Sequence, residues 1–164
     1  MKVKDLMTPD AKAISITESL AEAAREMWEN DCGALPVVKD GRKVVGMITD
    51  RDICMASFTQ WAHLSDALVS GAMSQSLCAC SPDDPISTAE ELMRQSQVRR
   101  VAVIDGAGAL VGLISIGDIA RYVRSHTSRG AMSLAQAEVA DTVAAICEPR
   151  FASIAPPPPV AAES

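Results

Sequence analysis

With 164 residues, 17.3 kDa and a formal net charge of −6, the chain is long enough for one ordinary domain or two small units sharing a core. The acidic balance excludes general affinity for a phosphate backbone but not a local basic pocket, and one Tyr, two Phe and two Trp leave little to stack on single-stranded nucleic acid. The opening MKVKDLMTPD carries no apolar run of signal-peptide length, and nothing approaches the roughly 18 consecutive apolar residues of a membrane span; we expect a cytoplasmic protein with neither membrane nor nucleic-acid partners.

In chain order, AISI (13–16) alternates as a short strand. TESLAEAAREMWEN (17–30) places Leu20, Ala23, Ala24, Met27 and Trp28 at helical spacing behind a Ser19 cap. ALPVV and KVVGMIT are β-branched runs around KDGR, whose Asp-Gly signals a hairpin turn. A second helix opens at Thr49 through DRDICMASF, and residues 54–68 connect onward. The same order then returns: CAC, the helix PISTAEELMRQSQ with Pro85 in its first turn, RVAVI and ALVGLIS around DGAG, and a helix from Ser115 through GDIARYVRS. The five cysteines have no framework spacing and suit reduced thiols, with Cys78 and Cys80 facing one way from a strand rather than holding a metal. AMSLAQAEVADTVAAICE predicts an extra helix with Met132, Val139, Val143 and Ile146 along one stripe, and APPPPVAAES predicts a disordered polyproline tail.

This is an internal duplication. Residues 3–53 overlay 69–119 without a gap, with identities at Val3, Met7, Ala13, Ser15, Ala23, Met27, Val37, Val45, Gly46, Ile48, Asp52 and Ile53. Each unit is β-α-β-β-α and too small to stand alone, so the expected fold is α+β, with two pseudo-symmetric repeats packed sheet to sheet. The expected divisions are repeat one at 1–60, repeat two at 61–128, a helical extension at 129–150 and a disordered tail at 151–164.

Both copies end on one phrase, GMITDRDI (46–53) and GLISIGDI (112–119). A glycine late in a strand marks close approach of a ligand or another backbone. Thr49 and Ser115 stand where strand becomes helix, beside free N–H groups that suit a phosphate. Asp52 and Asp118, three residues on, can accept both hydroxyls of a ribose. The same spacing is also a helix capping box.

With these phrases, and Met7-Thr8 and Met73-Ser74 opening each copy, residues 1 to about 125 resemble a tandem pair of cystathionine-β-synthase-type (CBS) domains, a Bateman module of the stand-alone bacterial kind. The resemblance implies clefts between the copies for adenosyl ligands: AMP or ATP foremost, then ADP, NAD or S-adenosylmethionine. Carried over, Thr49 and Asp52 serve one pocket and Ser115 and Asp118 the other. Ile14, Ala34 and Pro36 line the first, Cys80, Arg100 and Ala102 the second, and Arg51 and Arg99 meet phosphate. Many relatives carry His-Leu-Pro-Val where residues 100–103 read RVAV; the His and Pro are missing and a second arginine stands there. The resemblance implies a regulatory sensor without catalysis, resident cofactor or metal. It also implies homodimers joined through the helices after each motif, whose apolar faces should be exposed in a monomer. The alternative is an adaptor that recruits an unknown protein partner through its carboxy-terminal helix and tail.

Overall fold

The computed structural model describes residues 1–60, 63–126 and 134–148. Seven strands and five α-helices are formed there: β1 (Thr8–Pro9), β2 (Ile14–Ser15), α1 (Leu20–Glu29), β3 (Ala34–Lys39), β4 (Lys43–Thr49), α2 (Asp50–Gln60), β5 (Ala79–Cys80), α3 (Ile86–Ser96), β6 (Arg100–Ile104), β7 (Leu110–Ser115), α4 (Ile116–His126) and α5 (Leu134–Cys147). Ser19 caps α1, its Oγ accepting from Glu22 N at 3.1 Å. Pro85 precedes the first turn of α3 rather than lying in it; it is the N-cap, where its fixed φ and missing donor cost nothing.

The duplication holds at the level of hydrogen-bond register. In the first sheet β2 runs parallel to β3 with Ile14 opposite Val37; in the second, β5 runs parallel to β6 with Cys80 opposite Val103. The hairpins pair Gly46 with Val37 and Gly112 with Val103, and a bulge follows at Val37/Val38 and at Val103/Ile104. Each pairing maps onto its counterpart by 66 residues. Helices α1 and α3 are both followed by a left-handed residue, Asp31 (φ 48°) and Gln97 (φ 49°).

The sheets meet across a small apolar layer of Val44, Ala102 and Leu110, against which Ala13, Val38, Met47, Ala79 and Ile104 pack. Reciprocal bonds Val44 N to Gly108 O (3.1 Å) and Leu110 N to Arg42 O (2.9 Å) join the two hairpins about a pseudo-two-fold axis. Behind each sheet lies a larger core. One holds Ile14, Leu20, Met27, Leu35, Ile48 and Ile53; the other holds Cys80, Ile86, Met93, Val101, Ile114 and Ile119.

The lead-in to each copy packs on the other copy, so the divisions 1–60 and 61–128 follow the sequence repeat but not the spatial halves. β1 adds to the edge of β7, with Thr8 opposite Leu113, and Val3 is fully buried in the second core. Ser74 in turn bridges Met47, and Val69 is fully buried in the first core. This exchange explains the strand glycines. A Cβ on Gly112 would stand 2.8 Å from Thr8 O, and one on Gly46 would strike Ser74 O more closely still. The close approach read from the sequence is therefore that of another backbone segment, and no ligand is needed to account for it.

α5 lies on α3 and α4. Val139 and Ile146 join the second core and Thr142 is wholly buried, whereas Val143, expected in the apolar stripe, is 41% exposed. Arg94 Nη1 donates to Thr142 Oγ1 at 3.2 Å, and Gln97 Nε2 to Ala145 O at 3.3 Å. The helix after the second motif, expected to show a bare apolar face, is thus covered by the chain's own extension. Met132 and the proline tail lie outside the described residues.

Candidate functional site

Alternation along the strands decides which side chains face the space between the copies. Leu35, Val37 and Ile48 point to the first core, so Ala34, Pro36, Met47 and Thr49 share the opposite face, with Ala34 paired to Thr49 and Pro36 to Met47. In the second copy the same face carries Arg100, Ala102, Leu113 and Ser115, with Arg100 paired to Ser115 and Ala102 to Leu113. Six expected residues therefore gather on the inter-copy face: Thr49, Ala34 and Pro36 from one copy, Ser115, Arg100 and Ala102 from the other.

Ile14 and Cys80 do not join them. Both lie in the helix-side cores, and burial pushes the Cys80 thiol up to about 11. Their neighbours Ala13 and Ala79 face the other sheet instead. Met47 and Leu113, two residues before the motif hydroxyls, complete the face. The signal that finds all four is the period of two along a strand, counted back from Thr49 and Ser115 and one residue earlier on β2 and β5.

At each strand-to-helix junction the hydroxyl and carboxylate form a reciprocal pair. Asp52 Oδ2 accepts from Thr49 N at 2.9 Å and from Thr49 Oγ1 at 2.7 Å, while Asp52 N donates to Thr49 Oγ1 at 3.2 Å. The second copy repeats this with Asp118 Oδ2, Ser115 N at 2.8 Å, Ser115 Oγ at 2.6 Å and Asp118 N at 3.2 Å. These are capping boxes in full. Capping engages only one carboxylate oxygen, however, and Oδ1 of Asp52 has no partner among the described residues. Arg51 and Arg99 are exposed and Arg100 is half-buried. The junctions themselves are tied back identically, Asp50 N to Gly33 O (3.2 Å) and Ile116 N to Arg99 O (3.0 Å).

A separate cavity of about 520 Å³ opens on the outer side of the first copy, between α1 and α2, lined by Met27, Trp28, Cys32, Ile53 and Cys54 among others. Trp28 is 88% exposed beside it and Phe58 72%. Among the described residues, no three His, Cys, Asp or Glu side chains converge as for a metal, and no helix is long and apolar enough to cross a membrane.

The CBS domain model matches twice, over residues 3–58 and 69–125. The chain belongs to the CBS domain family. It is 37% identical over 128 residues to the CBS domain-containing protein YhcV of Bacillus subtilis, covering 78% of this chain and 89% of that protein. Among solved structures, Hypoxic Response Protein I with two coordinated zinc ions matches with a TM-score of 0.69 and 30% identity, covering 78% of this chain and all of its own. CBSX2 in complex with AMP matches with a TM-score of 0.66 and 25% identity, covering 76% of this chain and 96% of its own. This chain is thus a tandem CBS pair in which the pseudo-two-fold relates two hydroxyl–aspartate junctions.

Proposed function

We propose that this CBS pair is a regulatory sensor of adenosyl nucleotides, AMP or ATP foremost, with no catalytic step of its own and acting in the cytoplasm. The carrying observation is the repeated junction: a carboxylate oriented by its cap, with its second oxygen left over for a ribose hydroxyl in the first copy, beside a helix start that favours phosphate. The AMP complex of CBSX2 supports the ligand class. Thr49 and Asp52, flanked by Ala34, Pro36 and Met47, hold ribose and base, and Arg51 meets phosphate; Ser115, Asp118, Arg100 and Ala102 form the second site, with Arg99 at its rim. Ile14 and Cys80 support the strands from behind. ADP, NAD and S-adenosylmethionine are the other candidates, and ligand binding between the copies is read out as a change in how they pack.

Thermal shift with each of these ligands tests the reading after bound nucleotide has been stripped. A ligand at 100 times its Kd stabilises the native state by about 2.7 kcal/mol, a rise of roughly 5–10 °C. Asp52→Ala should weaken binding about tenfold or more and GTP should shift less than ATP. A wild-type chain indifferent to every adenosyl ligand sinks the proposal.

The adaptor reading loses support at α5, where Val139 and Ile146 of the expected stripe are engaged in the second core, although Val143 stays exposed. A homodimer gains some through the first copy alone, where Trp28, Met55 and Phe58 are exposed on α1 and α2 and Phe58 stands one turn on from Cys54, which lines the cavity. A knob and a hole on one surface satisfy a two-fold contact. Light scattering should find a dimer that Phe58→Glu dissociates; a wild-type monomer at micromolar concentration removes this part of the proposal.

A further inference from the structure

We infer that Arg121 makes the second site selective for phosphorylated adenosyl ligands, while the first site accepts them with or without phosphate; this rests on the adenosyl reading above. In both copies Oδ2 of the motif aspartate is engaged by its cap. Ribose recognition therefore falls to Oδ1. On Asp52 that oxygen is free among the described residues, and one helical turn on stands Met55, which has no donor. On Asp118 the oxygen accepts from Arg121 Nη2, and the Asp118 side chain is only 15% exposed while Arg121 is 67% exposed.

The local sequence is shaped around this contact. Arg121 lies back over Gly117, where a Cβ would come 3.4 Å from Nη1 and 3.5 Å from Ser115 Oγ. The first copy has Arg51 at the position of Gly117 and Met55 at that of Arg121. Positions four apart share a helix face. Each copy thus carries one guanidinium on the same stripe, but displaced by a turn, and only the displaced one reaches the aspartate.

For a ribose hydroxyl to bond Asp118, Arg121 must release it. A nucleotide phosphate near the start of α4 offers the released guanidinium a second anion, so one charged contact replaces another. Adenosine offers none, and a sulfonium ligand adds a like charge. The first site has no such exchange to make, because Oδ1 of Asp52 is already open among the described residues.

The test isolates the second site with full-length Asp52→Ala protein and titrates it calorimetrically with AMP and with adenosine, before and after adding Arg121→Met, the residue of the first copy. Adenosine affinity should rise about two- to fivefold, the strength of a partly exposed ion pair. AMP affinity should stay level or fall, so the AMP-to-adenosine ratio drops. Adenosine affinity that is unchanged or lower overturns the inference, as does loss of all binding in Asp52→Ala protein when wild type still binds. Wild-type protein that binds neither compound overturns the inference, and the nucleotide reading falls with it when ATP, ADP, NAD and S-adenosylmethionine also fail to bind. Arg121 is exposed, so unchanged circular dichroism is expected of the variant and a changed spectrum counts against a role confined to the ligand.

Discussion

The two copies share a backbone down to the position of a β-bulge, yet they present opposite outer faces. The first leaves Trp28, Met55 and Phe58 in solvent, with Trp28 lining an open cavity. The second is covered by α5, held by Arg94 and Gln97 at the positions where the first copy has Trp28 and Asp31. Backbone register survives duplication because strand pairing constrains every residue between the bulges. Helix surfaces are free to diverge, and here one face was closed by an extension while its twin stayed apolar. The inner faces diverged as well: Ala34 and Pro36 stand where the second copy has Arg100 and Ala102, and Arg51 and Met55 where it has Gly117 and Arg121.

The largest expected effect breaks what the copies share. Gly46→Ala drives a methyl into the Ser74 carbonyl, and Gly112→Ala into Thr8 O and Met7 Sδ, each at 2.8 Å. Overpacking of this kind costs about 1–3 kcal/mol, or roughly 3–10 °C in Tm. Gly46→Ala should be the worse of the two, because its methyl would come closer to a backbone carbonyl than either obstacle does at Gly112. Calorimetric melts rank them; two variants that melt like wild type would show that the exchanged lead-ins are not held against these strands.

Much of this is legible in the sequence. Ser19, the hairpin signals and the 66-residue offset specify elements and pairing, because caps, turns and alternation are local chemistry. The exchange of lead-ins was not legible: Val3 and Val69 show that each lead-in buries a valine, but not in which core. Ile14 and Cys80 lie one residue off the cleft face that Ala13 and Ala79 occupy, and on a strand one residue is the difference between core and cleft. Val143 failed for a related reason, since a weakly amphipathic helix leaves its docked side to be chosen by Arg94 and Thr142.

The next effect separates the outer faces. Ile146→Ala empties part of the α5 contact and should cost about 1–2 kcal/mol, less than a full core truncation because the site is half-buried, or roughly 2–6 °C. Phe58→Ala, on the uncovered counterpart, should stay within about 0.5 kcal/mol in the monomer. Equal losses from the two would contradict the asymmetry.

A smaller effect sharpens it through pH. Glu90 on α3 is 6% exposed, and burial first, then Glu138 on α5, raises its carboxyl above the ordinary 4.5, with Arg94 opposing. A carboxyl whose folded pKa is raised contributes stability that is complete below 4.5 and is lost as pH rises through the folded value. The second copy should therefore hold α5 more firmly at mildly acidic pH than at neutrality. Glu90→Gln should remove that dependence and raise Tm at pH 7 by about 1–2 °C. The first copy has Ala24 here, and Ala24→Gln supplies the control; a Glu90→Gln melt with unaltered pH dependence would place the titration elsewhere.

The smallest effect concerns how the exchanged lead-ins are pinned. Lys2 and Lys4 both reach Asp83 Oδ1, at 2.9 and 2.8 Å, and hold its carboxyl down to about 2. The equivalent positions in the other crossing are Leu68, Ser70 and Thr17, which form no ion pair. The folded pKa of Asp83 lies below its unfolded value, so this contribution is present above about 4 and fades as pH falls toward 2. All three side chains are about half exposed or more, and salt screens such pairs. Global Tm should barely respond, but local opening should. Val3 N and Lys4 N bond Asp84 O and Pro82 O, both at 2.9 Å, and Val69 N bonds Glu18 O at the same distance. Asp83→Asn, or a rise in salt at neutral pH, should lower exchange protection at Val3 and Lys4 by about two- to fivefold and leave Val69 unchanged. Parallel loss at all three amides would mean that the crossings open together and that the lysine clamp does not distinguish them.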